Sequence, residues 1–475
     1  MVSPVPDPVE RVSVPFHGRG SGEAELTWGQ IGIWQAIERS GESRTMGGTT
    51  ALPPGIEVES VAGVLGALVG RHQALRTRLV LTPGRPRQRV STSGELTLEV
   101  FESSSPAAVA AAVQERYASV PFDYEHEWPV RAAVVRRDGV STHMVVVYLH
   151  LSLDAGGLEV LIGELGQDPA TLPPVTAVQP LEQARSQREP AALRQSANSL
   201  RYLEHVLRTV SPLRFGPPRE DRDPTFRMVR FRSPATRLAV DAIARRAGIS
   251  TSPVLLACFA VALARAGASN PVMAMLMVSN RFRPGFADSV STIVQISPYL
   301  IDVADVTLGE AVARAARSTM NAYKHAYYDP DAQDEVVDRV IASRGEAVDF
   351  SCFYNDRRKS DRAPAVGLDP TVAELASAVD RSEVHWEDEP GMPRQKLYLH
   401  VDNTVDPLGD PAIEFTMSVD TRYFTADETE AVVRGFESVA VSTALDPDTP
   451  TGVWVETRFP ATAGAGADTG EGGAP

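Results

Sequence analysis

One histidine stands apart from the other eight in the 475-residue chain. His150 closes an apolar, largely β-branched run, Met144-Val145-Val146-Val147-Tyr148-Leu149, and Asp154 follows four residues later, ahead of Ala155-Gly156-Gly157. An imidazole takes or gives a proton near neutrality. Strand ends deliver side chains to clefts, and glycines beside them let a substrate come close to the backbone. From the residues alone two readings stand together: a proton-transfer group facing a cleft, or a hydrogen-bonded core histidine. Asp154, placed just before an apolar helical pattern, reads as the cap of that helix.

Other chemistries lack their residues. The chain has no G-x-x-x-x-G-K-[ST], G-x-S-x-G, H-E-x-x-H or C-x-x-C pattern. Gly18, Gly20 and Gly22 form a short glycine run, but no amphipathic helix opens at them, so they make a poor phosphate loop. Cys258 and Cys352 are far apart in apolar surroundings, which suits buried small hydrophobes and neither a disulfide nor a metal site. A net charge of −15 without a basic run argues against nucleic acid, and Arg357-Arg358-Lys359 reads as a solvated loop. No basic-then-apolar leader opens the chain, and the longest apolar run, Pro253 to Ala264, is too short to span a bilayer. A cytoplasmic location without membrane contact is the expectation.

The elements that must position His150 follow from periodicity. Thr142 to Leu153 reads as a strand, with a helix after it carrying Leu158, Leu161, Ile162 and Leu165 on one face. Gly29 to Arg39 and Glu59 to Ala74 read as helices, the second with Val61, Val64, Leu65, Leu68 and Val69 in one stripe that His72 extends as a packed residue. Gly166 to Pro190 is proline-rich and reads as a connection, and a helical pattern resumes from Ala191 to Thr209. Further on, Pro253 to Ala266 is apolar nearly all round and predicts a buried helix, capped by Thr251 or Ser252. Pro271 to Val278, Phe350 to Tyr354, Lys396 to Val401 and Ala412 to Val419 predict strands. Thr425 and Glu428 predict a capping box for a last helix ending before Asp446. Strands and helices mix in both halves, so the fold class is α/β, an α+β sandwich twice over. The expected division is a flexible stretch 1–9, an N-terminal lobe 10–178, a C-terminal lobe 179–460 and a disordered tail 461–475.

The segment around His150 resembles the H-H-x-x-x-D-G motif of nonribosomal peptide synthetase condensation domains, members of the chloramphenicol-acetyltransferase-like superfamily. Leu149 stands at the first motif histidine and Ala155 at the glycine. The most specific match is Arg71-His72-Gln73-Ala74-Leu75-Arg76-Thr77-Arg78, similar to R-H-E-x-L-R-T. Leu26-Thr27-Trp28-Gly29-Gln30 with Ile33-Trp34 resembles an opening L-S-x-x-Q…W motif, and Pro121-Phe122-Asp123 with Pro129-Val130-Arg131 resembles P-F-D-L…P-L-R. Ser279-Asn280-Arg281 and Asp288 to Pro298 resemble G-R…G-x-F-V-N-T-x-P, with Ser291 for the glycine and Gln295 for the asparagine.

The resemblance implies two chloramphenicol-acetyltransferase-like lobes in a V-shaped pseudo-dimer with a channel between them. It implies a free-standing enzyme that joins an acyl thioester, held on the phosphopantetheine of an acyl or peptidyl carrier protein supplied in trans, to an amine or hydroxyl acceptor. No cofactor is bound and no metal is needed; acyl-CoA is the alternative donor, and a silent recruitment module the alternative role. His150 is the implied catalytic residue and Asp154 the structural partner of an arginine, for which Arg281 is the candidate. Backbone N–H groups of Ala155, Gly156 and Gly157 are candidates for an oxyanion site at a helix start. Tyr354 and Asn355 are channel candidates, with His385 and His400 as outside choices.

Overall fold

The computed structural model describes residues 6–169, 171–211, 214–219, 225–267, 270–358, 369–388 and 395–454. The expected tail 461–475, Lys359 and residues 1–5 of the opening stretch lie outside them. The chain divides into two compact units: Met1–Pro212 with Ala274–Tyr299 and Thr319–Asp356, and Leu213–Met273 with Leu300–Ser318 and Arg357–Pro475. The segment after residue 178, assigned by sequence to the C-terminal lobe, thus belongs with the first unit as far as Pro212.

In the first unit a five-stranded sheet runs in the order Glu10–His17, Ser93–Glu102, Val130–Arg137, Val140–Leu149, Thr45–Ala51. Only the Ser93–Glu102 and Val130–Arg137 pair is parallel. The strand leading to His150 is covered on both faces, which is why its sequence is apolar without alternation. Met144, Val146 and Tyr148 pack into a core shared with Val61, Leu65 and Leu68 of helix Val58–Arg71. Val145 and Val147 pack instead with Ala110, Val113 and Tyr117 of helix Pro106–Ser119. Each fully buried Val or Leu contributes about 1.5–3 kcal/mol.

A second, three-stranded sheet in the order Gly22–Glu25, Arg87–Val90, Thr77–Val80 holds the Arg76 region. Arg76 is buried, and its guanidinium donates to the carbonyls of Gly70, Gly20, Ser91 and Arg19. A Cβ on Gly18 would stand 2.0 Å from the Gly70 oxygen and 2.4 Å from Arg76 Nε. The glycine run is therefore a cradle for this arginine, not a phosphate loop.

In the second unit, strands Leu397–Val405, Pro411–Asp420, Phe226–Ser233 and Glu383–Asp388 pair antiparallel in that order. Helix Thr251–Arg265 is buried from Thr251 through Leu263, as its all-round apolar pattern demands. It opens two residues earlier than expected, with Ser250 at the cap position and no side-chain cap bond. The predicted capping box is present on helix Ala426–Leu445: Glu428 N–H donates to Thr425 Oγ1 (3.1 Å) and Thr425 N–H to Glu428 Oε2 (2.8 Å).

Two boundaries differ for physical reasons. The stretch Gly166 to Pro190 contains a helix, Pro180–Ser186, whose Leu181 and Ala184 pack with Ala24 and Val90. Pro180 stands in its first turn, where a missing N–H costs nothing. Helix Val58–Arg71 stops short of its predicted end, and His72 is its extended cap residue, buried beside the stripe rather than in it. Among the described residues no single helix is long and apolar enough to cross a membrane, and no cluster of His, Cys, Asp and Glu suits a metal ion.

Candidate active site

The strand Val140–Leu149 ends one residue before His150, so His150 lies in the turn that leads to helix Ala155–Leu165. Its peptide is held on both sides. The His150 N–H donates to the Arg44 carbonyl (2.8 Å), and its carbonyl accepts from Thr292 Oγ1 (2.7 Å). The ring is held too, with Nδ1 2.8 Å from the Leu153 carbonyl oxygen. A carbonyl only accepts, so Nδ1 carries the proton and Nε2 of the neutral ring carries the lone pair. No described residue hydrogen-bonds to Nε2, and the side chain is half-buried. The ring is thus oriented by one nitrogen with the other left available, the arrangement a proton acceptor needs.

Asp154 organises the turn behind this ring. Its Oδ1 accepts from Gly157 N–H (2.9 Å), capping the helix, and from Arg281 Nη2 (2.5 Å). Its Oδ2 accepts from the N–H groups of Ile293 (2.9 Å) and Val294 (3.0 Å). The helix cap and the arginine partner are therefore one carboxylate doing both. Arg281 also donates through Nη1 to the carbonyls of Phe286, Ala287 and Ser289. Gly156 admits it: a Cβ there would stand 1.9 Å from Arg281 Nε.

This geometry removes Gly157 from the candidate oxyanion donors, because its N–H is bonded to Asp154. Ala155 and Gly156 occupy the first two positions of the helix, where no intrahelical acceptor exists. Tyr354 is also corrected as a channel residue. It is 2% exposed, on strand Cys352–Asp356, paired parallel with Leu276 of Val272–Val278. Asn355 next to it is half-buried.

The remaining histidines sit elsewhere. His72 Nε2 lies 2.7 Å from Glu164 Oε2, and Arg71 Nε donates to the other oxygen of the same carboxylate (3.0 Å). Burial raises the Glu164 carboxyl, but the hydrogen bonds and charges of His72 and Arg71 outweigh it and hold it below the usual carboxylate range. His385 is exposed near Glu383, and His400 lies on strand Leu397–Val405 of the second unit. Leu149, at the position of the first motif histidine, is buried with Leu26, Trp28, Leu151 and Ile293. Gln295 Nε2 donates to the Tyr328 carbonyl (2.8 Å), and Ser291 Oγ donates to Gln183 Oε1 (3.0 Å).

Sequence reasoning missed Thr292, Arg44 and Glu164. Arg44 and Leu153 act through backbone oxygens, which no side-chain pattern reports. Glu164 lies one helix length beyond Asp154, and nothing in its own surroundings links it to His72. A cavity of about 530 Å³ in the first unit, lined by Glu95, Thr97, Arg116, Tyr117 and Trp128 among others, does not include His150.

Comparison with known proteins agrees with the motifs. The family model for the condensation domain matches residues 21–332. A probable nonribosomal peptide synthetase of Salinispora arenicola is 24% identical over 420 residues, covering 82% of this chain and 5% of its own length. Phosphinothricin tripeptide synthetase of Streptomyces viridochromogenes is 25% identical over 348 residues, covering 67% of this chain and 31% of its own. The chain therefore spans less than a third of either relative. Among solved structures, the X-domain in its complex with OxyB from teicoplanin biosynthesis superposes with a TM-score of 0.68 at 18% identity, covering 92% of this chain and 96% of that one. That likeness gives the fold, the two-lobed fold of condensation domains.

Proposed function

Because the chain belongs to the condensation-domain family, we propose that it transfers an acyl group from a carrier-protein phosphopantetheine thioester to an amine or hydroxyl acceptor, with His150 as the proton-transfer residue. The observation that carries this reading is the Nδ1 bond to Leu153, which leaves the Nε2 lone pair without a partner among the described residues.

The chemistry follows from that nitrogen. As the acceptor O–H or N–H attacks the thioester carbonyl, the new C–O or C–N bond forms and the acceptor proton passes to Nε2. The tetrahedral oxyanion collapses, the C–S bond breaks, and the leaving sulfur takes the proton back from Nε2. A hydroxyl acceptor needs this base most, and general-base help is worth about 10² to 10⁴-fold. A neutral amine needs it less, since a thioester is already activated and holding the partners together supplies much of the rate. The N–H groups of Ala155 and Gly156 are the donors left for the oxyanion.

The test uses acyl N-acetylcysteamine thioesters, acyl-CoA and acyl-loaded carrier protein with a panel of amines and alcohols, read by mass spectrometry. His150→Ala should abolish ester formation and reduce amide formation. Turnover of His150→Ala at the wild-type rate sinks the mechanism, and product from CoA thioesters alone excludes carrier dependence.

A second reading has its own support. Leu149 and Ala155 replace two motif residues, and the similar X-domain was solved in complex with another protein, OxyB. A recruitment module of this fold would show no turnover with any donor, and binding to a partner protein that survives His150→Ala.

A further inference from the structure

We infer that Thr292 is a positioning residue for His150, and that Gly29 is what allows it to take that place. The inference rests on the reading of His150 as the proton-transfer group. Thr292 is fully buried, and its hydroxyl donates to the His150 carbonyl at 2.7 Å. That bond completes the fixing of the His150 peptide, whose N–H is held by Arg44. The two residues after Thr292 donate both of their N–H groups to Asp154 Oδ2. Thr292 therefore cannot slide along the turn without breaking the contacts of its neighbours to the carboxylate that caps the next helix.

Gly29 closes the arrangement from the other side. It lies in the first turn of helix Trp28–Ser40, and a Cβ there would stand 2.1 Å from the Thr292 oxygen and 2.8 Å from its carbonyl carbon. Backbone thus rests directly on backbone, at a separation no side chain tolerates. The same helix turn is itself fixed. Thr27 and Gln30 form a capping box, and Trp28 N–H donates to Gln187 Oε1 (2.9 Å). The opening motif acts on His150 through this route: a fixed helix start, then the Thr292 peptide, then the Thr292 hydroxyl.

Reaction rates are steep in placement, with a 1 Å error costing up to about 10²-fold. Thr292→Val keeps the shape of the side chain and removes the donor; Thr292→Ser keeps the donor. The readouts are kcat and KM on the thioester panel, and the side-chain ¹⁵N shifts of His150 in histidine-labelled protein, assigned with His150→Gln. Thr292→Val should alter the His150 ring shifts and their pH titration and lower kcat by about 10- to 100-fold with KM little changed, and Thr292→Ser should restore most of both. Gly29→Ala should give the same signature with Thr292 intact, and Thr292→Ser, which keeps the donor and adds no atom, is the control against a misfolded chain. Wild-type ring shifts in folded Thr292→Val or Gly29→Ala overturn the inference. So does wild-type kcat in those variants while His150→Ala is inactive. An active His150→Ala would instead sink the functional reading, and the ring shifts would still decide the tether.

Discussion

Arg281 Nη2 lies 2.5 Å from Asp154 Oδ1; the aspartate is buried and the arginine side chain 14% exposed. A buried ion pair stabilises only where the remaining donors and acceptors are satisfied. Here three carbonyls accept from Arg281 Nη1 and the backbone N–H groups of Gly157, Ile293 and Val294 donate to Asp154, so the carboxylate is fully served, while Arg281 Nε has no partner among the described residues. The pair thereby joins the start of helix Ala155–Leu165 to the segment that carries Thr292.

Arg281→Ala should cost about 3–5 kcal/mol, because it leaves a carboxylate buried without its cation. Arg281→Lys should recover only part of that, since one ammonium cannot reproduce the planar fork that reaches Asp154 and the carbonyls together. Urea unfolding midpoints measure both. A change under about 1 kcal/mol for Arg281→Ala, the size of a surface pair, would show that the contact is incidental.

Gly156 and Ala155 should differ in how strongly they respond to substitution. Ala155 is exposed at the helix start, so Ala155→Gly should shift stability by no more than about 1 kcal/mol. A methyl at Gly156 meets Arg281 Nε at 1.9 Å, so Gly156→Ala should cost about 1–3 kcal/mol by overpacking. Thermal melts of the two single variants decide it. Equal melting temperatures would mean that Arg281 moves aside freely.

Legibility in the sequence followed the kind of contact involved. The strand before His150 was readable because burial on both faces writes itself as an unbroken apolar run. The Thr425 capping box was readable because its two partners are three residues apart. Arg281 could be named as the partner of Asp154 only through family resemblance, since nothing local joins residues 127 apart. The Thr292 tether, the Arg44 carbonyl and the Gly29 contact were invisible: two use backbone atoms, and all depend on segments brought together by the fold. Tyr354 misled because a residue at a strand end can face a cleft or the core, and its own type fits both.

Glu164 should act as an acid-sensitive anchor for the far end of the helix that Asp154 caps. Its carboxyl is held below the ordinary range by His72 and Arg71 against the opposing effect of burial. A depressed carboxylate contributes stability that is present above its unfolded pKa, about 4.3, and lost as pH falls through the folded value. Glu164→Ala also leaves His72, 1% exposed, without its partner, at a cost of about 1–3 kcal/mol. Urea midpoints near neutrality should therefore drop in the variant, and the wild-type loss of stability at low pH should be shallower in it. Parallel pH curves for the two proteins would remove Glu164 from the acid response.

His400 sets a second, higher window. It lies on strand Leu397–Val405 opposite Thr416, with its ring 4.5 Å from that of Tyr398. Burial pushes its pKa from the ordinary 6.5 down to about 4, with help from the Arg357 cation and against the pull of Asp402. The unfolded chain therefore binds a proton at this residue before the folded one does. Stability from this source is full above the unfolded value and is lost as pH falls toward the folded one. The window is accordingly pH 6.5 down to about 4, and each unit of difference is worth about 1.4 kcal/mol, so the loss is of the order of a few kcal/mol. His400→Asn cannot take up that proton and should flatten the decline across this window while leaving the Glu164 response below it. Urea midpoints taken at half-unit steps from pH 7 to pH 4 measure the slope. An unchanged slope in His400→Asn would assign the acid sensitivity to other groups and leave His400 a packed residue without a titration role.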